Sequence, residues 1–550
     1  MKTRIALVVL AAAILCYGQN QMQVEVGMRP GSSRQAEPAR KATPEQLERG
    51  RQMLQVAEAQ AAGLEGGMRS YALLQVARAY QPTDKKKALA LLEDALAATR
   101  AIDDDSLKTR LQLQKQILQE MVPLAPNRVD ELLTEVEAQA RASVLNSLLS
   151  YYEKQKELGH AVEVLYRIAQ ESEMPYGAAL RVMQALPPER AADAQQLFAV
   201  SLASFQDHKQ SGGCMGDCDF VPLILRFWTR VPKEAVLDAI HAVLKDARDS
   251  GQKSSISMAS DQGAVAFNSL YEFRLFQVLP VLRQLDESGA KKLLEEYQQV
   301  QTLLAKYPQG TDSLQPPDAA EGGRDRRPGA SFMVSNDGPG GGGRPGSGPQ
   351  MPAPVEMQQV SKIAAEAEKN PRDALANCAG ISNPNLRSQA LLMIARSTWK
   401  NDSSIAREAL QKFMELNPKL EIAQQVMSLS TAADIYLNMG ETDDAKSVIE
   451  KGLAAAESAY KKDSNADDPN KALKAYWPSA EAYRGMLRLA VRISPVWAAN
   501  LTKEISDPEM KVVAQIAMAA SLLDIPTGST MIMNETKQGT SMSMSMERRD

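Results

Sequence analysis

"NPRDALANCAGISNPNLRSQALLMIA", residues 370–395, aligns without gaps to "SPVWAANLTKEISDPEMKVVAQIAMA", residues 494–519. Pro371 matches Pro495, Ala374 matches Ala498 and Ile381 matches Ile505. Pro384 then matches Pro508, Arg387 matches Lys511 and Ala390 matches Ala514. Each copy reads as a short helix that ends near an Asn-Pro or Asp-Pro break, with a second helix starting after that proline. Backbone chemistry supports the reading. Proline presets φ for a first helical turn, and the residue before it is pushed away from the helical region. A helix–turn–helix pair is therefore used at least twice.

A related copy lies far upstream. "RSYALLQVARAYQPTDKKKALALLEDAL" from Arg69 parallels "RSQALLMIARSTWKNDSSIAREALQKFM" from Arg387. Both read R-S-x-A-L-L-x-x-A-R, then an aspartate-containing turn, then alanine and leucine at helical spacing. The shared turn position makes duplication a better explanation than chance. Helical patterning begins at Thr43-Pro44-Glu45-Gln46, which supplies a capping hydroxyl, a first-turn proline and a glutamine three residues after the cap. Apolar residues recur every three or four positions through "QMLQVAEAQAAGL" and "SYALLQVARAY". Convincing β-alternation is absent. The expected fold is all-α, an α-solenoid of antiparallel helix pairs in two blocks.

Several units carry a family resemblance. "LSTAADIYLNMGETDDAKSVIEKGLAAA" resembles a tetratricopeptide repeat. Ala433, Tyr436, Ala445 and Ile449 fall at its small, aromatic, small and bulky positions, Gly440 and Glu441 at its turn, and Gly452 at a further small position. "LLSYYEKQKELGHAVEVLYRIA" is similar, with Leu149, Tyr152, Gly159, Ala161 and Leu165, and the stretch around Ala77, Tyr80 and Ala88 fits with a shorter turn. HEAT-like helical pairs are the alternative. The resemblance implies small residues that let paired helices approach, large ones that fill the gaps between repeats, and protein–protein interaction as the function.

Composition sets the domain boundaries. Residues 308–353, including "NDGPGGGGRPGSGPQMP", are dense in glycine and proline and have almost nothing to bury. Such text does not repay the entropy of ordering its backbone, so a disordered linker is expected between helical blocks 43–307 and 354–525. Arg324, Arg326, Arg327 and Arg344 give it an RGG-like look, read here as solvation. Residues 526–550 form a Met/Ser-rich tail, also expected to be disordered.

The N-terminus has the parts of an export signal, residues 1–18. Lys2 and Arg4 precede an apolar run from Ile5 to Leu15, with small or neutral residues around Gly18. The run is too short to span a bilayer comfortably. Cys16 offers a lipidated alternative, although Leu15 is not the small residue that such a site wants. Residues 19–42 are expected to be disordered. The chain is thus expected to be exported, periplasmic or extracellular, with no integral membrane segment in its mature form. Its 63 basic residues are outnumbered by 67 acidic ones and aromatics are only 5%, so nothing global favours nucleic acid.

Signs of chemistry are few. The three histidines, His160, His208 and His241, lie near no nucleophile–acid motif, and P-loop, dinucleotide-binding and H-E-x-x-H patterns are absent. No catalytic residue and no cofactor is expected. The alternative is an all-α enzyme acting on envelope polysaccharide, in the manner of helical-toroid hydrolases, against which the aromatic-poor composition argues. Cys214 and Cys218 in "SGGCMGDCDF" are expected to form a local disulfide, since Gly212, Gly213 and Gly216 free the backbone and disulfides persist outside the cytoplasm. A zinc site from His208, Cys214, Cys218 and Asp219 and a redox-active pair are the lesser readings. Cys378 reads as a small buried residue on a helix. Met542, Met544 and Met546, with Met531 and Met533, are weak candidates for holding Cu(I). The function expected is a scaffold, adaptor or assembly factor in the cell envelope, binding other proteins; metal handling through the tail is the alternative.

Overall fold

The sequence repeats are helix pairs in the computed structural model, which describes residues 43–103, 107–207, 218–250, 255–260, 263–314, 331–335, 355–464, 473–523, 532–536 and 539–543. The first block runs through α1 (Pro44–Ala62), α2 (Gly66–Tyr80), α3 (Lys85–Ala98), α4 (Leu107–Met121), α5 (Pro126–Leu132), α6 (Ala138–Gln155) and α7 (Leu158–Glu171). It continues with α8 (Tyr176–Ala185), α9 (Ala191–Asp207), α10 (Val221–Phe227), α11 (Lys233–Asp249), α12 (Leu270–Leu285), α13 (Glu287–Glu296) and α14 (Gln298–Lys306). The second block contains α15 (Val355–Ala367), α16 (Pro371–Asn377), α17 (Pro384–Thr398), α18 (Ser403–Leu416) and α19 (Ile422–Met439). It ends with α20 (Thr442–Ser464), α21 (Pro478–Ile493), α22 (Pro495–Lys503) and α23 (Pro508–Leu522).

The helix bounds follow the sequence alignments. With Arg69 opposite Arg387, α2 and α17 start and end at matching residues, and so do α3 and α18. The turns show why. Asp84 and Asp402 cap α3 and α18 from nearly the same backbone conformation, φ −144° and ψ 83° against φ −147° and ψ 84°. Each carboxylate accepts a hydrogen bond from the backbone N–H three residues on, Lys87 at 2.9 Å and Ile405 at 3.2 Å. The Ser404 hydroxyl and the Ile405 N–H hold the Asp402 carboxyl below its ordinary value. In the second alignment, α16 and α22 open on Pro371 and Pro495, and α17 and α23 open on Pro384 and Pro508.

Helices pack with their sequence neighbours and with the pair beyond. α2 lies on α3, α6 on α7, α17 on α18 and α19 on α20. First helices also touch one another, α2 on α4, α4 on α6, α17 on α19, α19 on α21 and α21 on α23. That double set of neighbours makes a solenoid, in which each pair buries its apolar face against the next.

Three features add to the sequence reading. A small antiparallel sheet interrupts the helices, with β1 (Ser255–Ser260) between β2 (Gly263–Phe267) and β3 (Ser331–Ser335). Ile256 stands opposite Phe267 and Val334, and Ile256, Val265 and Phe267 are buried. Phe267 packs on Phe273 and Phe276 of α12. These strands are five or six residues long and rich in serine and alanine, too short to display period-2 alternation against helical text. Secondly, residues 308–314, including the 3-10 turn Gly310–Leu314, and β3 fall within 308–353, and a hairpin of β4 (Ile532–Thr536) and β5 (Gly539–Ser543) falls within 526–550; the rest of both segments lies outside the described residues. Thirdly, the two helical blocks are not separate bodies. The described residues from Pro44 onward form one compact unit, with α1 packed along α23 and α2 beside α23.

Candidate functional site

First helices of successive pairs line an open cavity of about 310 Å³. From α17 come Arg396 and, just past its end, Trp399; α19 supplies Thr431, Asp434 and Asn438; α21 supplies Arg488 and Arg492. The spacings put these side chains on one face of each helix, Thr431, Asp434 and Asn438 at i, i+3 and i+7 and the two arginines at i and i+4. The close approach of α19 and α21 depends on Gly485. A Cβ there would stand 2.7 Å from Ser430 Oγ, closer than packing tolerates. The Ser521 hydroxyl donates to the Arg488 carbonyl at 3.2 Å and ties α23 to the same floor.

The cavity is positive. Three arginines line it beside one carboxylate, Asp434, and that carboxylate is engaged: Arg492 Nη1 lies 2.9 Å from Asp434 Oδ1, and Asn438 Nδ2 donates to Oδ2 at 3.2 Å. Arg396 is exposed and Arg488 half-buried. The Lys400 ammonium lies 5.0 Å from the centre of the Trp399 ring. Met393, 43% exposed, sits one turn before Arg396 and gives the same helix an apolar edge. A guanidinium presents a planar fork of donors that matches a carboxylate. The arrangement offers hydrogen-bond donors, an aromatic wall and an apolar edge, a set suited to binding an acidic group beside a hydrophobic one.

A second polar cluster joins α20, α21 and the turn before α23. Tyr460 donates to Asp507, which also receives Lys474 Nζ at 3.1 Å and the Met510 N–H at 2.9 Å; Lys474 reaches Glu509 at 2.6 Å. Tyr483 and Ser506 donate to the two oxygens of Glu457 at 2.7 and 2.9 Å. Burial, then the Glu457 hydrogen bond, pushes the Tyr483 phenol up. Burial works against ionisation of Asp507, but the bonds from Tyr460, Met510 and Lys474 outweigh it and hold the carboxyl below its ordinary value. The carboxylates here are satisfied by the chain itself, so the cluster clamps helices together.

Those residues singled out in the sequence that the structure describes do not line the cavity. His160 is exposed, stacks on Tyr152 at 4.9 Å and lies 3.3 Å from Glu157. His241 is exposed on α11. His208 and Cys214 lie outside the described residues. Cys218 is disulfide-bonded; since Cys214 is not described, its pairing with Cys218 stays an expectation. Asp219 is buried and spoken for, with Oδ1 accepting from the Val221 N–H at 3.0 Å and Oδ2 paired with Arg274 at 2.8 Å. Cys378 is a free, buried thiol, and burial pushes its pKa up to about 11. Met542 stands opposite Met533 in the β4–β5 hairpin, while Met544 and Met546 lie outside the described residues. Among the described residues no group of three or more His, Cys, Asp or Glu side chains is placed to hold a metal ion, and no helix is long and apolar enough to cross a membrane.

Sequence reasoning passed over the cavity. Arg396 was visible as the last letter of R-S-x-A-L-L-x-x-A-R, and Arg488 and Arg492 as an i, i+4 pair, but arginines on exposed helix faces are ordinary. Their convergence depends on helix order.

No protein-family model matches the chain, and no curated protein matches it. Among solved structures, it is similar to one described as a circular tandem repeat protein with novel repeat topology and enhanced subunit contact surfaces. That likeness has 12% identity, covers 87% of this chain and 97% of the other, and has a TM-score of 0.15.

Proposed function

We propose that the chain is a protein-interaction scaffold of the tetratricopeptide-like kind, exported to the cell envelope, which holds an acidic segment of a protein partner in the arginine-lined cavity. One observation carries the reading: arginines from consecutive repeats line a cavity whose carboxylate, Asp434, is already paired with Arg492. A stacked-helix architecture presents extended surfaces of this kind, and binding at them is passive. The export signal read at residues 1–18 supports the location, and N-terminal sequencing of the mature protein tests it. The action is binding, with no chemical step.

Fluorescence anisotropy with labelled acidic, neutral and basic peptides of equal length tests the site. Acidic peptides are expected to bind, more weakly as salt screens the charges. Reversing the exposed Arg396→Glu is expected to weaken that binding roughly tenfold or more, since a hydrogen bond to a charged group is worth about 1.5–3 kcal/mol. The circular dichroism spectrum should not change. Equal binding of acidic and basic peptides, or an unaffected Arg396→Glu variant, would sink the reading.

A further inference from the structure

We infer that the chain is a permuted solenoid: the repeat opened by α23 is completed by α1, so the two blocks form one uninterrupted array whose outer ends are joined by residues 308–353. The sequence alignments establish what kind of helix α23 is. It matches α17, and α17 matches α2, so all three are first helices of a pair. α2 and α17 are followed by their second helices, α3 and α18. The place beside α23 is taken by α1, from the other end of the described chain. α23 also lies beside α2, as α17 lies beside α19, so α2 is the next first helix in the array.

Side chains at the junction fit that assignment. α1 buries Gly50, Leu54, Ala57 and Ala61, a single helical strip at i, i+4, i+7 and i+11. Gly50 is required there: a Cβ would stand 2.9 Å from Leu523 Cγ and 3.0 Å from Leu522 Cβ. α23 is apolar on two sides, as a helix inside an array must be. Met510, Ala514, Met518 and Leu522 join the core of the second block, while Val512, Val513, Ile516 and Ala519 join that of the first. Around the seam, Arg484 Nη1 donates to the Tyr71 hydroxyl at 2.6 Å, and Tyr71 meets Tyr476 edge-on at 5.6 Å. Glu58 of α1 is paired with Lys87 of α3 at 2.6 Å.

The permutation makes two blocks joined by a long segment behave as one body. The fold does not need that segment to be continuous. A partner then meets one face, in the order α17, α19, α21, α23, α2, α4. This last consequence rests on the proposed function; the permutation does not.

The test is to place a protease site in the full chain between residues 335 and 355, cut the purified protein and measure its mass by size exclusion with light scattering. The cut chain is expected to elute as one species with the mass of the uncut chain. Two separated fragments would overturn the inference. In a companion, Gly50→Leu with Leu54→Asp, the uncut protein should keep its helical circular dichroism, and the cut protein should fall apart into fragments. If the fragments of that variant stay together as tightly as the parent's, the junction is not made by α1 and the inference fails. Peptide binding is not read in either arm, so failure of the cavity assignment leaves this result untouched.

Discussion

Arg484→Ala is expected to destabilise the protein by about 3 kcal/mol, at the low end of the range for breaking a buried ion pair. The side chain is 13% exposed. Nη1 donates to the Tyr71 hydroxyl at 2.6 Å and the Ala475 carbonyl at 2.9 Å, Nη2 pairs with Glu481, and the guanidinium lies 5.8 Å from the centre of the Tyr71 ring. Burial disfavours the cation, but Tyr71 and Glu481 more than offset it, so the charge is kept. Truncation would strand a buried phenol and a carbonyl and leave Glu481 facing an apolar seam. Glu481 is about one-third exposed, and solvent there recovers part of the loss, which sets the lower figure. Removing both charges, Arg484→Met with Glu481→Gln, should cost much less, because no ion is left unpaired and the volume is retained. Urea unfolding followed by circular dichroism makes the comparison. A single variant as stable as the double variant would show that leaving Glu481 without its partner costs nothing.

The second large effect is expected at Asp507. Asp507→Ala removes the N-cap of α23, worth about 1 kcal/mol in such positions. It also leaves the Tyr460 hydroxyl and the Lys474 ammonium without their shared acceptor. A total of about 2–3 kcal/mol follows from adding the loss of hydrogen bonds to a charged group. The substitution also has a pH signature. The Asp507 carboxyl is held below its ordinary value of 3.8, so its contribution is fully present above that pH. The contribution is lost as pH falls through the depressed value in the folded chain. The parent should therefore lose its advantage over Asp507→Ala in acid and keep it at neutral pH. Denaturant midpoints measured at several pH values decide this; a constant gap down to acid would contradict the assigned role.

Much of the local structure was legible in the sequence because it is written in local chemistry. Pro371, Pro384, Pro495 and Pro508 each open a helix, as their fixed φ and missing N–H require. Asp84 and Asp402 cap their helices because a short carboxylate reaches an N–H three residues ahead. Ala433, Tyr436, Ala445 and Ile449, placed by the repeat pattern, are all buried. The β1–β2 hairpin escaped notice because its burial comes from Phe273 and Phe276 of the neighbouring helix, not from a long alternating run. The cavity escaped notice because each of its arginines, taken alone, is an ordinary solvated helix residue.

What the sequence by itself determined was therefore the repeating unit: where helices start and stop, which face of each is apolar, and that the pairs stack. What only the tertiary structure decided was the order of stacking. Periodicity is a property of one helix, whereas the partner of α23 depends on which apolar face elsewhere in the chain remains uncovered. Arg484 and Tyr71 meet across 413 positions of sequence, a contact that no local pattern encodes. Burying the two apolar sides of α23 required a helix from each direction, and α1, with Gly50 allowing the close approach, supplied the one that the chain after α17 supplies as α18.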